Sequence, residues 1–332
     1  MADKPPDPAE LARFAEQAEK AIERLESRVG RRASKTVTDA IRPVIVEITR
    51  LWVAQFGSVT ATADPARVAV LMQAVRVLLA GLAADPSVPV SAVLDDALAL
   101  GARNAFGLLG RVDVDLVPSA VLVDAVDAMA DIVSEARDAA VERLDTVADW
   151  DGMVAVFGDL TRAEHRADAA AKWAVVRAVS EGTEQVAEAA GADMVWVAER
   201  DGACLECLAY QGHVVHAGER FPGGLTFRVS ATPRFPESIP GPPRHPRCRC
   251  HLQCHRDEWT VAGVPSFPEV LVREAQRAVL RGDAGDSNHA RLQAADALLA
   301  EGSDLPKTVK QRARRAVAAG EFPDRRSARE GS

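Results

Sequence analysis

The chain has 332 residues, 48% of them hydrophobic but only 5% aromatic, with a net charge of −8. That apolar content supports a sizeable core, which has to be built from Ala, Val and Leu; this suits packed helices and argues against a sandwich or barrel. No apolar run approaches the ~18–20 residues of a membrane helix, and no signal peptide is visible in the polar start MADKPPDPAE, so the chain is expected to be made in the cytoplasm.

At roughly 100–200 residues per domain, the length predicts two structural units. The charge is uneven. Residues 1–199 hold 20 Lys and Arg against 32 Asp and Glu, a balance of −12; residues 200–332 hold 20 against 16, a balance of +4. Contact with nucleic acid or an acidic protein face therefore belongs to the second half.

Helical spacing begins at 8–29, where Leu11, Phe14, Ala18, Ile22, Leu25 and Val29 recur on one face and Gly30 reads as a C-cap. A second helix is expected over 34–56, kinked at Pro43, with Ile41, Val44, Ile45, Ile48, Leu51 and Trp52 inward. Asp64-Pro65 starts a third, with Asp as N-cap and Pro at the first helical position. DPSVPV at 85–90 is a breaker before a fourth helix over 91–109. A long amphipathic helix over 119–147 presents Leu122, Val126, Met129, Ile132, Val133, Ala136, Ala140 and Leu144. A turn at 150–152, a helix over 161–190 and a stop at Gly191 follow. Trp52, Trp150 and Trp173 read as helix-packing residues, and Arg162, Glu164 and His165 as an exposed helix face with i,i+4 pairing.

Residues 194–198 (MVWVA) give the first convincing strand, and Asp201-Gly202 turns the chain into Cys204. The span 212–246 is too rich in Gly and Pro for regular helix. Helices return at 267–281, 286–301 and 305–319. The last carries Lys307, Lys310, Arg312, Arg314 and Arg315, a face that either contacts phosphate or is simply solvated.

All five cysteines lie between Cys204 and Cys254, and five of the seven histidines (His213, His216, His245, His251, His255) lie there or just beyond. Without a secretory signal, a C-x2-C pair points to metal or redox chemistry before a structural disulfide. Cys204 and Cys207, on a turn after a strand, aim two thiolates at one point, as zinc requires. The second pair comes from His245, Cys248 and Cys250: either His245 with Cys248, as H-x2-C, or Cys248 with Cys250, which share one side of an extended segment. Such a site pins the ends of a loop that has few apolar residues of its own. Cys254 is a spare. Three other readings are reduced packing cysteines, an iron–sulfur cluster whose spacings do not fit, and a thioredoxin-like pair, which wants a helix where Gln211-Gly212 and a loop follow. A fourth is a nucleophilic cysteine activated by His213, His216 or His255, and no spacing selects such a pair.

The series Trp196, Asp201, Cys204-x2-Cys207, Gly212-His213-Val214, a Pro-rich loop and His245-Pro246-x-Cys248-Arg249-Cys250 resembles the phage Mu F-like minor head protein (head morphogenesis) family, as does the preceding Arg162-x-Glu164. The resemblance covers about 160–255; the long 224–243 insert and the added Cys254-His255 depart from it. It implies a non-enzymatic minor protein of a tailed-phage head in the virion, made in the host cytoplasm, that contacts the portal protein and other head proteins and acts in assembly or DNA entry and exit. The basic tail would contact packaged DNA. The excess of Arg (34) over Lys (6) fits a GC-rich genome. The expected architecture is mainly α: a helical region over 1–190, a small α+β domain with a zinc knot over 191–262, and a helical basic tail over 263–332. The competing functions are a nuclease or toxin-like effector using the Cys/His centre, and a zinc-ribbon nucleic-acid-binding module reading DNA through Arg247 and Arg249.

Overall fold

The computed structural model describes residues 6–198, 207, 210, 212–223, 237–246, 248–257, 259, 299 and 307–320. The architecture is mainly α, with long N-terminal helices, a small sheet and a Cys/His cluster. The helices are α1 (Pro8–Phe56), α2 (Pro65–Ala80), α3 (Val88–Ser91), α4 (Leu94–Leu109), α5 (Ala120–Asp127), α6 (Ile132–Arg143), α7 (Trp150–Ala190) and α8 (Lys307–Ala319). Strands β1 (Asp193–Val197), β2 (Val214–Val215) and β3 (His251–His255) form an antiparallel sheet in the order β2-β1-β3. Among the described residues no helix is long and apolar enough to cross a membrane.

Two expected breaks are not breaks. Gly30 does not end a helix: α1 runs unbroken for 49 residues, through Pro43 as well. A Cβ at Gly30 would lie 2.5 Å from Asp168 Oδ1 and 2.9 Å from Lys172 Cε, so the glycine serves a close approach to α7. The turn expected at 150–152 is the first turn of α7, which is 41 residues long. Asp149 Oδ1 accepts the Gly152 N–H at 2.9 Å and caps it. Trp150 packs inward there, its ring centroid 5.3 Å from Trp52 and 5.8 Å from Phe157.

The helix expected over 119–147 starts as anticipated, with Ser119 Oγ accepting the Leu122 N–H, but it is interrupted by 3-10 turns at Ala128–Asp131 and Leu144–Thr146. Its eight inward residues are all buried, so the apolar stripe survives the change of pitch. The 85–90 breaker contains the start of α3, and α4 begins at Leu94 instead of 91. Asp64 caps α2 as expected, accepting the Arg67 N–H.

Packing divides the chain into two compact units. One is Glu23–Ala97 with Val117–Ala178; the other is Met1–Ile22, Leu98–Leu116 and Val179–Ser332. In the first, Asp159 is buried and accepts from both Arg143 and Arg162, joining α6 to α7. Arg162 is exposed, as the sequence suggested, and pairs with Asp159 at i,i+3 instead of i,i+4. Glu164 instead is half-buried and accepts from Thr38 of α1. Trp173 is half-buried.

The second unit carries the sheet. Gly191, at φ 59°, ends α7 with its N–H on the Glu188 carbonyl (3.1 Å) and the Ala192 N–H on the Ala187 carbonyl (2.9 Å), the paired bonds of a Schellman stop. The chain turns directly into β1, where Met194, Val195, Trp196 and Val197 are all buried. Met194 and Trp196 join a core with Leu252 and Cys254, whereas Val195 and Val197 pack with Ala15 on the other face. Ala313 and Ala316 of α8 close the first of these cores. The helices expected over 267–281 and 286–301 lie outside the described residues, Leu299 apart.

Candidate metal centre

Cys207, His245 and Cys248 converge. Their ligand atoms all lie within 4.8 Å of one another and could hold a metal ion. Cys207 Sγ is 3.4 Å from His245 Nε2 and 3.7 Å from Cys248 Sγ. A tetrahedral ion with metal–sulfur bonds of about 2.3 Å and a metal–nitrogen bond of about 2.05 Å has an S···S edge of about 3.8 Å and an S···N edge of about 3.6 Å. The two observed edges are within about 0.2 Å of those values. A disulfide would need the sulfurs at about 2.05 Å, and Cys207, Cys248, Cys250 and Cys254 are free thiols.

Local backbone makes this convergence. The Cys248 N–H bonds the His245 carbonyl at 3.0 Å, a turn with Pro246 in its second position, which brings the H-x2-C side chains together. His245 Nδ1–H donates to the Pro246 carbonyl at 2.8 Å. That bond fixes the tautomer and leaves the Nε2 lone pair facing the thiols, as a metal-binding imidazole requires. Cys207 sits on a helical turn closed by the Tyr210 N–H on its carbonyl at 3.1 Å.

Beneath the site lie Trp196, Tyr210 and Phe221, with ring centroids 4.9 Å (Trp196–Tyr210) and 5.3 Å (Trp196–Phe221) apart. Tyr210 O–H donates to the Pro222 carbonyl at 2.8 Å, and the Arg244 guanidinium stacks on the Tyr210 ring at 4.4 Å. Trp196 thus lies under the knot. The roles of Tyr210, Phe221 and Arg244 were not legible, because isolated aromatics in a Pro-rich loop have no periodicity to place them.

Cys248 is held well below the ordinary thiol range, first by hydrogen bonding with Cys207, then by Cys250, with the charge of His245 assisting against the penalty of burial. A thiol held in this way is ready to act as a thiolate. Cys250 is buried and touches Cys248 but is not part of the three-atom cluster. Cys254 faces the core from β3, and burial pushes its thiol up to about 12, so it packs as an apolar side chain. Cys204 and Arg247 lie outside the described residues.

The other histidines have separate surroundings. His213 stacks near Tyr210 and is lowered by burial. His255 is buried beside Trp259. His251 is buried on β3, and burial lowers it to about 4, offset only in part by the Arg249 backbone and Cys248. His216 is exposed and donates from Nδ1 to Asp193 Oδ1 at 2.6 Å, a neighbour fixed by the Met194–Val215 register. That hydrogen bond, then the charges of Asp193, Glu219 and Asp257, raise the His216 pKa. The pair therefore adds stability that is fully present below pH ~6.5 and is lost as pH rises through the higher folded value. NMR titration is expected to place His216 above 6.5 and Asp193→Asn to bring it back down; an unshifted wild-type midpoint would remove the interaction.

No family model matches this chain, nor does any curated protein or solved structure.

Proposed function

We propose that the chain is a minor head protein of a tailed phage or prophage, of the Mu F-like head morphogenesis kind, acting at the portal vertex in head assembly or DNA passage and using its Cys/His knot for architecture, not catalysis. The observation that carries this reading is the meeting of the two halves of the motif. Cys207, from the C-x2-C pair after the Trp196 strand, and His245 and Cys248, from H-P-x-C after the Pro-rich loop, come together on one aromatic floor. A staple between loop ends gives a rigid surface without a reacting group. The nuclease or effector reading would want a histidine beside a thiol free of ligand duty. Among the described residues the histidine in the thiol cluster is His245, whose geometry is that of a ligand. The test is co-purification with the portal protein of the same genome. Recovery with portal or heads is expected, and a protein that never sediments with either would overturn the assignment.

The proposed metal is structural zinc, since two thiolates and an imidazole at tetrahedral edge lengths suit a borderline-soft d10 ion. Cys204 is proposed as the fourth ligand because C-x2-C spacing supplies it. Cys250 is then a neighbour that hydrogen-bonds the Cys248 thiolate. Cys204→Ser is expected to lose bound zinc. Cys250→Ser is expected to keep one zinc per chain with affinity weakened by about 10–100-fold, the usual cost of removing a supporting hydrogen bond. Competition with a chromogenic chelator measures both, and the reverse pattern would make Cys250 the ligand.

For packaged DNA the proposed contact is α8, where Arg314 and Arg315 are exposed while Ala313 and Ala316 face the core. Binding through it would be sequence-independent and steeply salt-dependent.

A further inference from the structure

The face of the sheet that packs with Ala15 carries polar groups that the knot does not use. Along β3, His251 and Gln253 stand opposite Val197 and Val195 and share that face, while Leu252 and Cys254 point to the opposite core. His251 is 2% exposed and Gln253 6%. By strict hydrogen-bond geometry neither ring nitrogen of His251 nor the Gln253 Oε1 is satisfied among the described residues; the Arg249 backbone approaches the imidazole, which accounts for one nitrogen at most. Buried polar atoms left in that state cost free energy, and native proteins satisfy nearly all of them.

Both residues line one small cavity. Its walls include Phe14 and Ala18 of α1, Asn104 of α4 and Thr183 of α7. The space a water-sized sphere can reach is about 10 Å³, which is the threshold for holding a single water. Thr183 Oγ1 spends its proton on the Gly101 and Val179 carbonyls, each at 3.2 Å, and so offers only an acceptor here. Without a donor from Thr183, the Gln253 oxygen needs one from elsewhere. A neutral imidazole presents one donor and one acceptor. A molecule that donates twice serves these two acceptors, and the space matches one water.

We propose that this cavity is a hydration site in which one internal water donates to Gln253 Oε1 and to the acceptor nitrogen of His251. Residues two apart on one strand face are separated by roughly 6.6–6.8 Å, which brings their side-chain polar atoms within the span of one bridging water. The bridge links two residues of β3 inside a cavity walled by α1, α4 and α7, so the strand face turned away from the cysteine-containing core carries a satisfied buried polar contact. This assignment does not depend on the identity of the metal or on the phage role.

The experiment uses the full-length protein. In a rotating-frame NOE measurement, the His251 ring protons and the Gln253 side-chain amide protons are expected to show a cross-peak to water with the sign of a long-lived internal molecule. Gln253→Leu is expected to abolish the His251 cross-peak and to lower the thermal midpoint. In these two measurements, two outcomes overturn the proposal. One is the absence of a long-lived water signal in the folded wild-type protein. The other is a Gln253→Leu variant with a raised midpoint, which would mean that the cavity is dry and the glutamine a net liability. A high-resolution crystal structure in which the Asn104 amide donates directly to Gln253 would overturn it as well.

Discussion

Protein purified without chelator is expected to carry about one zinc per chain, and stripping that zinc is expected to unfold the sheet-bearing unit while the helices of the other unit stay formed. The sheet explains the asymmetry. Its strands are five, two and five residues long, and the connection from β2 to β3 is Pro- and Gly-rich. So short a sheet is marginal unless something else fixes its strands. The core behind it includes four cysteines, and three of the proposed ligands come from two loops with little apolar content of their own. Structural zinc contributes about 10–16 kcal/mol of apparent binding free energy in small zinc-dependent folds, against a total domain stability of about 5–15 kcal/mol. Even part of that difference decides whether the loops stay closed. Hydrogen exchange reads it directly. On chelation, or in Cys248→Ser, amides of β1 and β3 should lose most of their protection, Trp196 emission should shift to the red, and far-UV helicity should fall only modestly. Full retention of β1 and β3 protection in metal-free protein would show that the knot closes without an ion.

The parts of this arrangement that could be read in advance are the local ones. H-P-x-C and the Gly191 stop each depend on a few consecutive residues, and their described residues adopt that local geometry; of C-x2-C, Cys207 joins the cluster and Cys204 lies outside the described residues. The buried stripe from Leu122 to Leu144 was legible for the same reason, since periodicity survives a change from α to 3-10 pitch. What misled was residue type with two physical uses. Gly30 permits a left-handed stop and also permits close helix contact; the letter is the same, and only the presence of Asp168 and Lys172 selects the second. Trp150-Asp151-Gly152 looks like a turn, but the Asp149 cap and the Trp52 ring make it a helix start. The aromatic floor was invisible because Tyr210, Phe221 and Arg244 meet only after the Pro-rich loop has folded back. His251 and Gln253 look like ordinary edge polarity until β3 is found buried on both faces.

Two further glycines make the same point with the largest expected effect on stability. Gly101 of α4 and Gly182 of α7 face each other's backbones. A Cβ on Gly101 would overlap the Val179 carbonyl oxygen and come within 2.9 Å of Thr183 N; one on Gly182 would overlap the Leu98 carbonyl oxygen and come within 2.8 Å of its carbon. No side chain can move aside to relieve these contacts, because the obstacles are backbone. The helices would have to separate, breaking the Thr183 bond to the Gly101 carbonyl and opening the packing around Ala102, Ala105 and Val186. Overpacking of this kind costs about 1–3 kcal/mol and occasionally more, against the ~1 kcal/mol that alanine gains over glycine in helix propensity. Rigid backbone obstacles put Gly182→Ala at the upper end, a net loss of about 2 kcal/mol once the propensity gain is subtracted, and Gly101→Ala close behind. Gly158, in the same helix α7, supplies the control. Nothing lies within 4 Å of its added Cβ, so Gly158→Ala meets only the propensity term and should stabilise by up to about 1 kcal/mol. Chemical denaturation of the three variants compares them under one set of conditions. Opposite signs at positions 182 and 158 would establish that the α4–α7 crossing is set by backbone contact. A neutral Gly182→Ala would mean that the two helices can part without cost, and the crossing would then not be what fixes the helix end from which β1 is launched.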